Sequence, residues 1–584
     1  MGHTTSQIWR ILRSIDEARE LVTSRSVRNY PGSLRFWLFT VVLLLLATTS
    51  APAQQTTQSR LERAEKEPQN WLTYYGNYNG WSYSQLNQIN RSNVKQLAPV
   101  WTFAAGVPPP VTTLRVGLEA APLVVDGLLY LVGPQNNVYA IEAATGKSVW
   151  TYIYRWPDRA VSGVKGARGL AYGDGLIYMG AQDNHLVGLD AETGKEVWNI
   201  EVKNNSECGC SLNSPPLFVR GKIIAGSSGG GGKNTGYLNA FDAKTGSRVW
   251  HFDVVPPPGQ PGNDTWAGDT WRTGSGSAWY TGTYDPELNV IYWGTGDPFP
   301  VWRGDQRPGA NLYTASLLAI DADTGKLKWY FQETPHDLYD YDSAMEPVLL
   351  DLDVNGQKQK LILHPSKNGF AYVYDRITGK FIRGFPYGSP NWAKGQDANG
   401  RAIDAISPAD QKDFLICPNM GTGARNINHS AYSPRTGLWY TTDNELCSYL
   451  KSGLSPAPQD ALNPNAPPNI SAFDPTSGKK QWTFKTKYFN ESSLLATAGD
   501  LIFGGDLDGN VFALDARTGQ MLWSFSAGTP IAAPPVTFSI NGRQYVAVSA
   551  GGGSNSEGRL PNLYPQEKNR LLQPASTLFV FSLR

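Results

Sequence analysis

The sequence contains few of the residues on which several common chemistries depend. Charged residues make up only 17% of its 584 residues, and 51 Lys and Arg almost balance 50 Asp and Glu. The resulting net charge of +1 argues against nucleic acid or an anionic membrane surface as the main partner. Its six His show no metal-ligand spacing, and its four Cys form no C-x-x-C-H motif, so covalent haem c is excluded.

Two further motifs, one of esterases and one of nucleotide-binding proteins, are incomplete. The G-x-S-x-G spacing at 226–230 lies in a glycine-rich run with no helix predicted after it, so it does not indicate the nucleophile elbow of a serine hydrolase. The glycine run 229–232 lacks the Lys-Ser/Thr pair that completes a phosphate-binding loop. What the sequence has instead is 60 Gly, 40 Pro and 19 Trp, with 41% apolar residues. This composition is typical of a turn-rich, aromatic β protein, and the length requires several domains or a repeat architecture.

The N-terminal part has the features of an export signal. An apolar run at 36–48 follows a basic flank and precedes the small residues Ala-Pro-Ala at 51–53. This pattern predicts a signal peptide over 1–53 with an extended basic region, because the run is short for a membrane span. An uncleaved anchor in the inner membrane is the alternative. Residues 54–67 are then predicted as a linker, and export would permit disulfides.

The remainder of the chain repeats one phrase. Each copy has an apolar strand, an acid-x-x-Thr/Ser-Gly turn, and a second strand that ends in an aromatic residue. The acid and Thr can hydrogen-bond the turn backbone, Gly supplies a positive φ, and the aromatic residue can pack between repeats. Seven copies end at Trp150, Trp198, Trp250, Trp329, Phe385, Trp482 and Trp523.

The repeat predicts an all-β fold, an eight-bladed β-propeller over 68–584 with tryptophan-docking repeats. The eighth blade is completed when the N-terminal segment 97–103 pairs with the C-terminal segment 576–583. Closure of the ring by both termini leaves no long exposed strand edge.

Several segments resemble the pyrroloquinoline-quinone (PQQ)-dependent, or quinoprotein, alcohol and sugar dehydrogenases. The segments that carry the resemblance are 71–103, 117–132, 168–180, 282–302, 334–342 and 496–525. The resemblance implies a periplasmic oxidoreductase that oxidises primary alcohols or sugars with non-covalent PQQ in the central channel. Because the chain has no haem motif, its electrons would pass to a separate acceptor such as cytochrome c or ubiquinone.

The resemblance also implies roles for individual residues. Asp340 in the segment 334–342 corresponds to the carboxylate that accepts the proton of the substrate hydroxyl, a role suited to an acid held near a metal and a cation. Trp279 corresponds to the indole under the planar cofactor, and Arg168 to the arginine that faces a PQQ carboxylate. The full set of implied cofactor contacts is Glu119, Arg168, Asn213, Ser228, Ser277, Trp279, Lys367 and Asn426.

The implied metal site departs from the family pattern. Its carboxylates are Asp297, Asp340 and Asp342, which suit a hard cation. The family's glutamate ligand is replaced by Gly231, while Asp342 adds a carboxylate as in lanthanide-dependent relatives. We expect Ca²⁺, because lanthanide sites in the family retain the glutamate; a lanthanide is the alternative, and degenerate metal binding without activity is a third interpretation.

The cysteines give two further expectations. The family resemblance implies a structural disulfide between Cys417 and Cys447. Cys208 and Cys210 lie close together in one loop, as either a strained disulfide or two thiols.

A second function class fits the repeat equally well. A catalytically silent propeller that serves as a scaffold in envelope protein assembly would share the blades, because a fold does not determine a function. Such a scaffold has no need for the interior set that includes Glu119, Arg168, Trp279, Lys367 and Asp340. Within the enzyme interpretation, a polyol or a polymer alcohol is an open variation of the substrate.

Overall fold

The computed structural model of the protein describes residues 57–584, except 107–116, 158–160, 162–165, 355, 456 and 553–554, and the side chains of residues 555 and 556. The predicted signal peptide and the first residues of the predicted linker lie outside the described residues. Within the described part, no helix combines the length and apolar character needed to cross a membrane.

The described residues form eight antiparallel sheets of four strands, which we name blades 1 to 8. Blade 7 carries a fifth, parallel strand, Tyr83–Ser84. In the order of blades 1 to 8, the strands are Leu123–Val125, Leu128–Val132, Val138–Glu142 and Ser148–Tyr152; Ala171–Gly173, Leu176–Gly180, His185–Asp190 and Glu196–Glu201; Leu217–Val219, Lys222–Gly226, Tyr237–Asp242 and Arg248–Asp253; Thr283–Asp285, Val290–Gly294, Ser316–Asp321 and Leu327–Gln332; Val348–Val354, Gln357–Pro365, Phe370–Asp375 and Phe381–Pro386; Ala431–Ser433, Leu438–Asp443, Asn469–Phe473 and Lys480–Lys485; Leu495–Thr497, Leu501–Gly505, Asn510–Asp515 and Met521–Ser526; and Val536–Ile540, Arg543–Ala550, Thr577–Leu583 and Leu97–Ala104.

Smaller elements lie in the insertions between blades. Cys210–Ser211 pairs with Ser228–Gly229, and a three-stranded insert sheet is formed by Lys412–Ile416, Leu446–Ser452 and Gln459–Leu462. Short α-helices are Thr57–Glu62, Asn205–Cys208 and Leu560–Leu563. The 3-10 helices are Ala64–Lys66, Val94–Gln96, Asn263–Thr265, Thr270–Thr273, Gly304–Gln306, Pro408–Asp410, Asn555–Arg559 and Pro565–Arg570.

The repeated turn explains how each blade meets the next. In blade 2, Asp190 Oδ1 accepts hydrogen bonds from the Thr193 backbone N–H at 2.8 Å and from its hydroxyl at 2.7 Å. Gly194 follows with φ +72°, and a β-carbon there would lie 2.5 Å from the Trp150 indole of blade 1. The Trp150 Nε1–H also donates to the Ala191 carbonyl at 3.1 Å. Glycine is therefore required at this turn both for its backbone conformation and for the close approach of the indole.

The aromatic residue contacts the next blade at all eight junctions, seven times on a turn glycine and once, at Trp523, on a backbone carbonyl. Phe385 takes the place of Trp in the degenerate copy and packs on the turn glycine of blade 6. The pairs are Trp101 with Gly146, Trp150 with Gly194, Trp198 with Gly246, Trp250 with Gly325, Trp329 with Gly379, Phe385 with Gly478, Trp482 with Gly519, and Trp523 with the Leu97 carbonyl. The predicted β-propeller is confirmed, and Leu97–Ala104 pairs with Thr577–Leu583 as predicted.

The segment 57–67, which lies within the predicted linker, has a defined structure. It belongs to the compact unit Thr57–Arg584 and begins with the helix Thr57–Glu62. Leu61 is 1% exposed, and Arg60 Nη2 lies 2.7 Å from Asp126 Oδ1 and 2.8 Å from Glu67 Oε2. Burial of Leu61 and the ion pairs of Arg60 hold this segment on the propeller. The sequence alone does not distinguish such a segment from a linker.

Candidate active site

Two neighbouring loops carry the three aspartates of the predicted metal site. Asp297 lies three residues after the strand Val290–Gly294 of blade 4. Asp340 and Asp342 lie on the loop that leads to blade 5, and the buried Asp337 side chain organises this loop. Its two carboxylate oxygens accept hydrogen bonds from the backbone N–H groups of Tyr339 and Tyr341, each at 2.8 Å. Asp340 adopts φ +64°, a left-handed conformation that Asp tolerates better than most residues.

The three carboxylates converge. One oxygen from each of Asp297, Asp340 and Asp342 lies within 4.8 Å of the others. Asp342 Oδ2 accepts a hydrogen bond from the Trp279 Nε1–H at 3.1 Å, and the same oxygen lies 2.6 Å from Lys367 Nζ. Lys367 Nζ also donates to Asp340 Oδ1 at 3.3 Å. The sequence-predicted base, metal ligands, indole and cation are therefore brought into one cluster.

The electrostatics of the cluster show an excess of negative charge. Burial, together with the neighbouring Asp340 and Asp342, raises the pKa of Asp297 well above its ordinary value. Burial also raises the pKa of Asp340 to about 7, against the opposing effect of Lys367. For Lys367, burial lowers the pKa, but Asp340 and Asp342 outweigh it and the pKa is raised. One ammonium does not balance three carboxylates, and an additional cation would.

The donor set fits a hard cation, because all of its atoms are oxygens. The loop at Gly231 contributes none. A β-carbon at Gly231 would lie 3.0 Å from the Phe299 ring, so that ring occupies the space a side chain from this loop would need. At the position where the family resemblance implies a glutamate, an aromatic ring is thus packed against the glycine.

The predicted cofactor floor is also assembled. Arg168 Cζ lies 5.2 Å and Lys367 Nζ 5.6 Å from the centroid of the Trp279 ring. Arg168 Nε lies 3.6 Å from Glu119 Oε2, and Arg168 Nη1 donates to the Trp279 carbonyl at 3.3 Å. An aromatic face bordered by two cations suits a planar anionic ligand.

Buried polar atoms test whether the residues fit PQQ. In the described part of the chain, Arg168 Nε, Asn213 Oδ1 and Ser228 Oγ are buried without a hydrogen-bond partner. Buried polar groups are normally satisfied, so three such atoms among the predicted contacts indicate a place for a polar ligand. A tricycle with carboxylates and carbonyl oxygens offers acceptors for the arginine and serine groups, and its ring N–H offers a donor for the asparagine oxygen. The residues therefore fit PQQ.

The two remaining predicted contacts differ in how closely they join the cluster. Ser277 lies beside Gly296, where a β-carbon would be 3.1 Å from Ser277 Oγ and 2.9 Å from Asp342 Oδ1. Asn426 lies on another loop, and its backbone N–H donates to Asn428 Oδ1 at 3.1 Å. That loop is tied to the neighbour of Trp279, because the Tyr280 hydroxyl donates to the Ile427 carbonyl at 2.9 Å.

Three supporting side chains were not identified from the sequence as supports. Asp337 organises the loop of Asp340, Tyr280 ties the loop of Asn426, and the Ser214 hydroxyl donates to the Trp279 carbonyl. Only Asp337 had a visible signal, as a member of the acidic segment 337–342. The partners of Tyr280 and Ser214 are distant in sequence, so no local pattern reveals them.

Both expected cysteine pairs are disulfides. Cys417 and Cys447 are bonded with Cα atoms 4.4 Å apart, as the family resemblance implied. Of the two alternatives for Cys208 and Cys210, the structure shows the disulfide. The described chain has no free cysteine.

A propeller in which an indole, two cations and a carboxylate cluster lie together has the features of a protein that binds a planar anionic group beside a hard cation. The family model described as "PQQ: Glucose/ethanol/alcohol dehydrogenase, beta-propeller domain" matches residues 71–387 and 485–546. The chain belongs to this family of PQQ-dependent dehydrogenases.

Individual relatives agree with this assignment. The chain is 36% identical over 559 residues to the quinoprotein alcohol dehydrogenase PedH of Pseudomonas putida strain KT2440, covering 88% of this chain and 92% of the relative. It is 35% identical to a quinohemoprotein alcohol dehydrogenase of Comamonas testosteroni, covering 87% of this chain and 76% of the relative. Among solved structures, a europium-containing methanol dehydrogenase superposes with a TM-score of 0.81 at 32% identity, covering 90% of this chain and all of that one.

Proposed function

We propose that the protein oxidises primary alcohols or sugars with PQQ. The observation that carries the proposal is the arrangement of Asp340 and Lys367 beside the Trp279 face. When bound, PQQ supplies a quinone that accepts a hydride from the carbinol carbon. The scaffold alternative has no use for this buried and electrostatically costly cluster, so the enzyme interpretation is favoured.

Each residue of the cluster has a separable task. Asp340 is only partly buried, with 26% of its side chain exposed, so a substrate hydroxyl can reach it and transfer its proton to the carboxylate. The Lys367 side chain is 5% exposed; its ammonium orients the Asp340 carboxylate and opposes the rise in the pKa of Asp340 that burial causes. Arg168, Asn213 and Ser228 would hold the polar edge of PQQ, with Glu119 fixing Arg168.

The metal in this proposal is Ca²⁺, with a lanthanide as the alternative. The three carboxylates and Lys367 leave two negative charges when all are ionised, and a divalent cation neutralises them. The cation would polarise a carbonyl of the cofactor as a Lewis acid and keep Asp340 ionised. The europium in the related methanol dehydrogenase makes the trivalent alternative a necessary comparison.

We further propose that the protein works in the periplasm and passes its electrons to a separate acceptor, a cytochrome c or ubiquinone. The apolar run at 36–48 with its basic flank supports export. The absence of a C-x-x-C-H motif from the sequence supports an acceptor on another molecule. The export proposal is checked by mass spectrometry of the protein recovered from the periplasm. We expect a mass that corresponds to the chain without residues 1–53.

The deciding experiment is reconstitution of the purified protein with PQQ, in parallel with Ca²⁺ and La³⁺. Dye-linked oxidation is then measured with a panel of primary alcohols and aldoses. We expect turnover with one of the metals and a preference for alcohols. The variant Asp340→Asn should retain PQQ, because the Trp279 floor is intact, and should lose turnover.

Two outcomes would contradict the proposal at different levels. Normal turnover by Asp340→Asn would remove Asp340 as the base but leave the dehydrogenase. Failure to bind PQQ with either metal would make the scaffold interpretation the better one.

A further inference from the structure

An arginine from the C-terminal part of the chain lies beside the proposed base. Arg559 ends the 3-10 helix Asn555–Arg559, and its guanidinium and the Asp340 carboxylate both lie next to Gly421. The point that a β-carbon of Gly421 would occupy is 3.5 Å from Arg559 Nη2 and 3.5 Å from Asp340 Oδ2. Arg559 Nη2 and Asp340 Oδ2 are therefore at most twice 3.5 Å apart. Asp340 forms its ion pair with Lys367, and Arg559 forms its ion pair with Asp460.

The guanidinium is held in place by its other amino group. Arg559 Nη1 donates to Asn419 Oδ1 at 3.2 Å and to Asp460. Asp460 lies on the strand Gln459–Leu462 of the insert sheet, and Asn419 Nδ2 donates to Asp460 Oδ1 at 3.0 Å. These contacts fix Nη1 on the insert sheet and leave Nη2 facing the space above Gly421.

This space suits a substrate with two neighbouring oxygens. A carbinol hydroxyl that donates to Asp340 Oδ2 and a second oxygen that accepts from Arg559 Nη2 each require a hydrogen bond of about 2.7 to 3.0 Å. Two such hydrogen bonds, joined by the two-carbon unit of a diol, can span the distance between Arg559 Nη2 and Asp340 Oδ2. Gly421 has φ +107°, a conformation that favours glycine, and a longer side chain at this position would enter the gap.

The charges favour a neutral second oxygen. Asp460 already balances the charge of Arg559, with 28% and 31% of the two side chains exposed. Asp340 borders the gap on one side, and Asp460 lies behind Arg559 on the other. A substrate carboxylate would therefore meet two anionic side chains, whereas a hydroxyl adds no charge.

We propose that Arg559 is a substrate-contacting residue that selects alcohols carrying a second hydroxyl on the carbon next to the carbinol, that is, vicinal diols and polyols. The inference rests on the proposed function, since it concerns the substrate of the same site. It is independent of the identity of the metal and of the electron acceptor.

The experiment compares ethane-1,2-diol with ethanol, which differ only in the second hydroxyl. The quantity measured is the ratio of their kcat/KM values for the PQQ- and metal-loaded protein. For Arg559→Met we expect this ratio to fall at least about 10-fold, the size of one hydrogen bond to a charged donor. In Arg559→Lys the positive charge is kept, but a single ammonium cannot contact Asp460 and the substrate together. The diol-to-ethanol ratio of kcat/KM should therefore fall in this variant as well.

A matched control and a binding measurement separate specificity from stability. Arg435 forms a surface ion pair with Asp500 at 3.2 Å, and Arg435→Met should leave the ratio as it is. Calorimetric titration then compares pinacol with tert-butanol, neither of which has a hydrogen on the carbinol carbon to lose. Wild-type protein should bind the diol more tightly, and Arg559→Met should lose that preference.

The outcomes distinguish the two proposals. An equal change for ethanol and the diol, or no preference for pinacol in the wild-type protein, would overturn the role of Arg559. If neither alcohol is oxidised, the proposed function fails, and the titration alone decides whether Arg559 recognises a second hydroxyl.

Discussion

The unfolding free energy of the metal-free protein should depend on pH in a way that reports the carboxylate cluster. Burial raises the pKa of Asp340 from the ordinary 3.8 to about 7, and that of Asp337 to about 6. Burial and the neighbouring carboxylates shift Asp297 in the same direction. The metal-free cluster is therefore a source of instability whenever these groups are forced to ionise.

The sign follows from proton binding. Between the unfolded pKa of Asp340 and its folded value, the folded protein holds a proton that the unfolded chain has released, so acid favours the folded state. Stability should therefore fall as the pH rises from about 4 through 7. A shift from 3.8 to about 7 corresponds to about 4 kcal/mol for Asp340, and Asp337 adds an effect of the same sign. Lys367 stays protonated throughout this range and contributes no slope.

Chemical denaturation at pH 5, 6, 7 and 8, with and without bound Ca²⁺, measures this effect. We expect several kcal/mol of lost stability between pH 5 and 8 without metal, and a much smaller loss with metal, because the cation stabilises the ionised carboxylates. Asp340→Asn removes one of the titrating groups and should flatten the metal-free profile. Equal slopes for the metal-free and loaded proteins, or an unchanged slope in Asp340→Asn, would refute the reasoning.

Three further predictions test the floor, the missing ligand and the insert sheet. Trp279→Ala should weaken PQQ binding at least about 10-fold in a fluorescence titration, because a stacking face is lost; unchanged affinity would make the indole a core residue only. Gly231→Glu should lower thermal stability without raising metal affinity, since Phe299 fills the space. The double variant Gly231→Glu, Phe299→Ala should make room for the carboxylate and raise La³⁺ affinity, measured by calorimetry. A gain in La³⁺ affinity in the single variant would contradict the packing. Replacing Cys417 and Cys447 by Ala should cost about 3 kcal/mol of unfolding free energy, the usual size for a disulfide, and a change below about 1 kcal/mol would show that the insert sheet is held by other contacts.

The fold could be predicted from the sequence because its information is local and repeated. Each blade carries its own turn signal, as in the Asp190 and Thr193 bonds, and its own docking indole, such as Trp150. Even the degenerate copy retains an aromatic residue in Phe385. The helix at Thr57–Glu62 was not predicted, because it is held by burial of Leu61 and by the ion pair between Arg60 and the distant Asp126.

The site could be predicted only where the family resemblance supplied its residues. Nothing in the local pattern around Lys367 shows that its ammonium lies 2.6 Å from Asp342, since the contact is made by two separate loops. Phe299 against Gly231 and Arg559 beside Gly421 are likewise contacts between segments far apart in sequence. Such contacts follow from the closure of the ring, which no single segment encodes.

Asp340 and Asp342 are two residues apart, but their contacts and exposure differ, which suits them to the different roles that we propose. Asp342 is almost fully buried and binds both the Trp279 indole and Lys367 through one oxygen, so it fixes the floor and the cation together. Asp340 is partly exposed, makes the longer contact to Lys367, and turns its other oxygen to the space above Gly421. A base must be accessible to the substrate, which the partly exposed Asp340 is. A group that organises the site must be fixed in place, which the buried Asp342 is. Asp342, which the family resemblance implies is an added metal ligand, thus also joins the predicted metal site to the predicted cofactor floor.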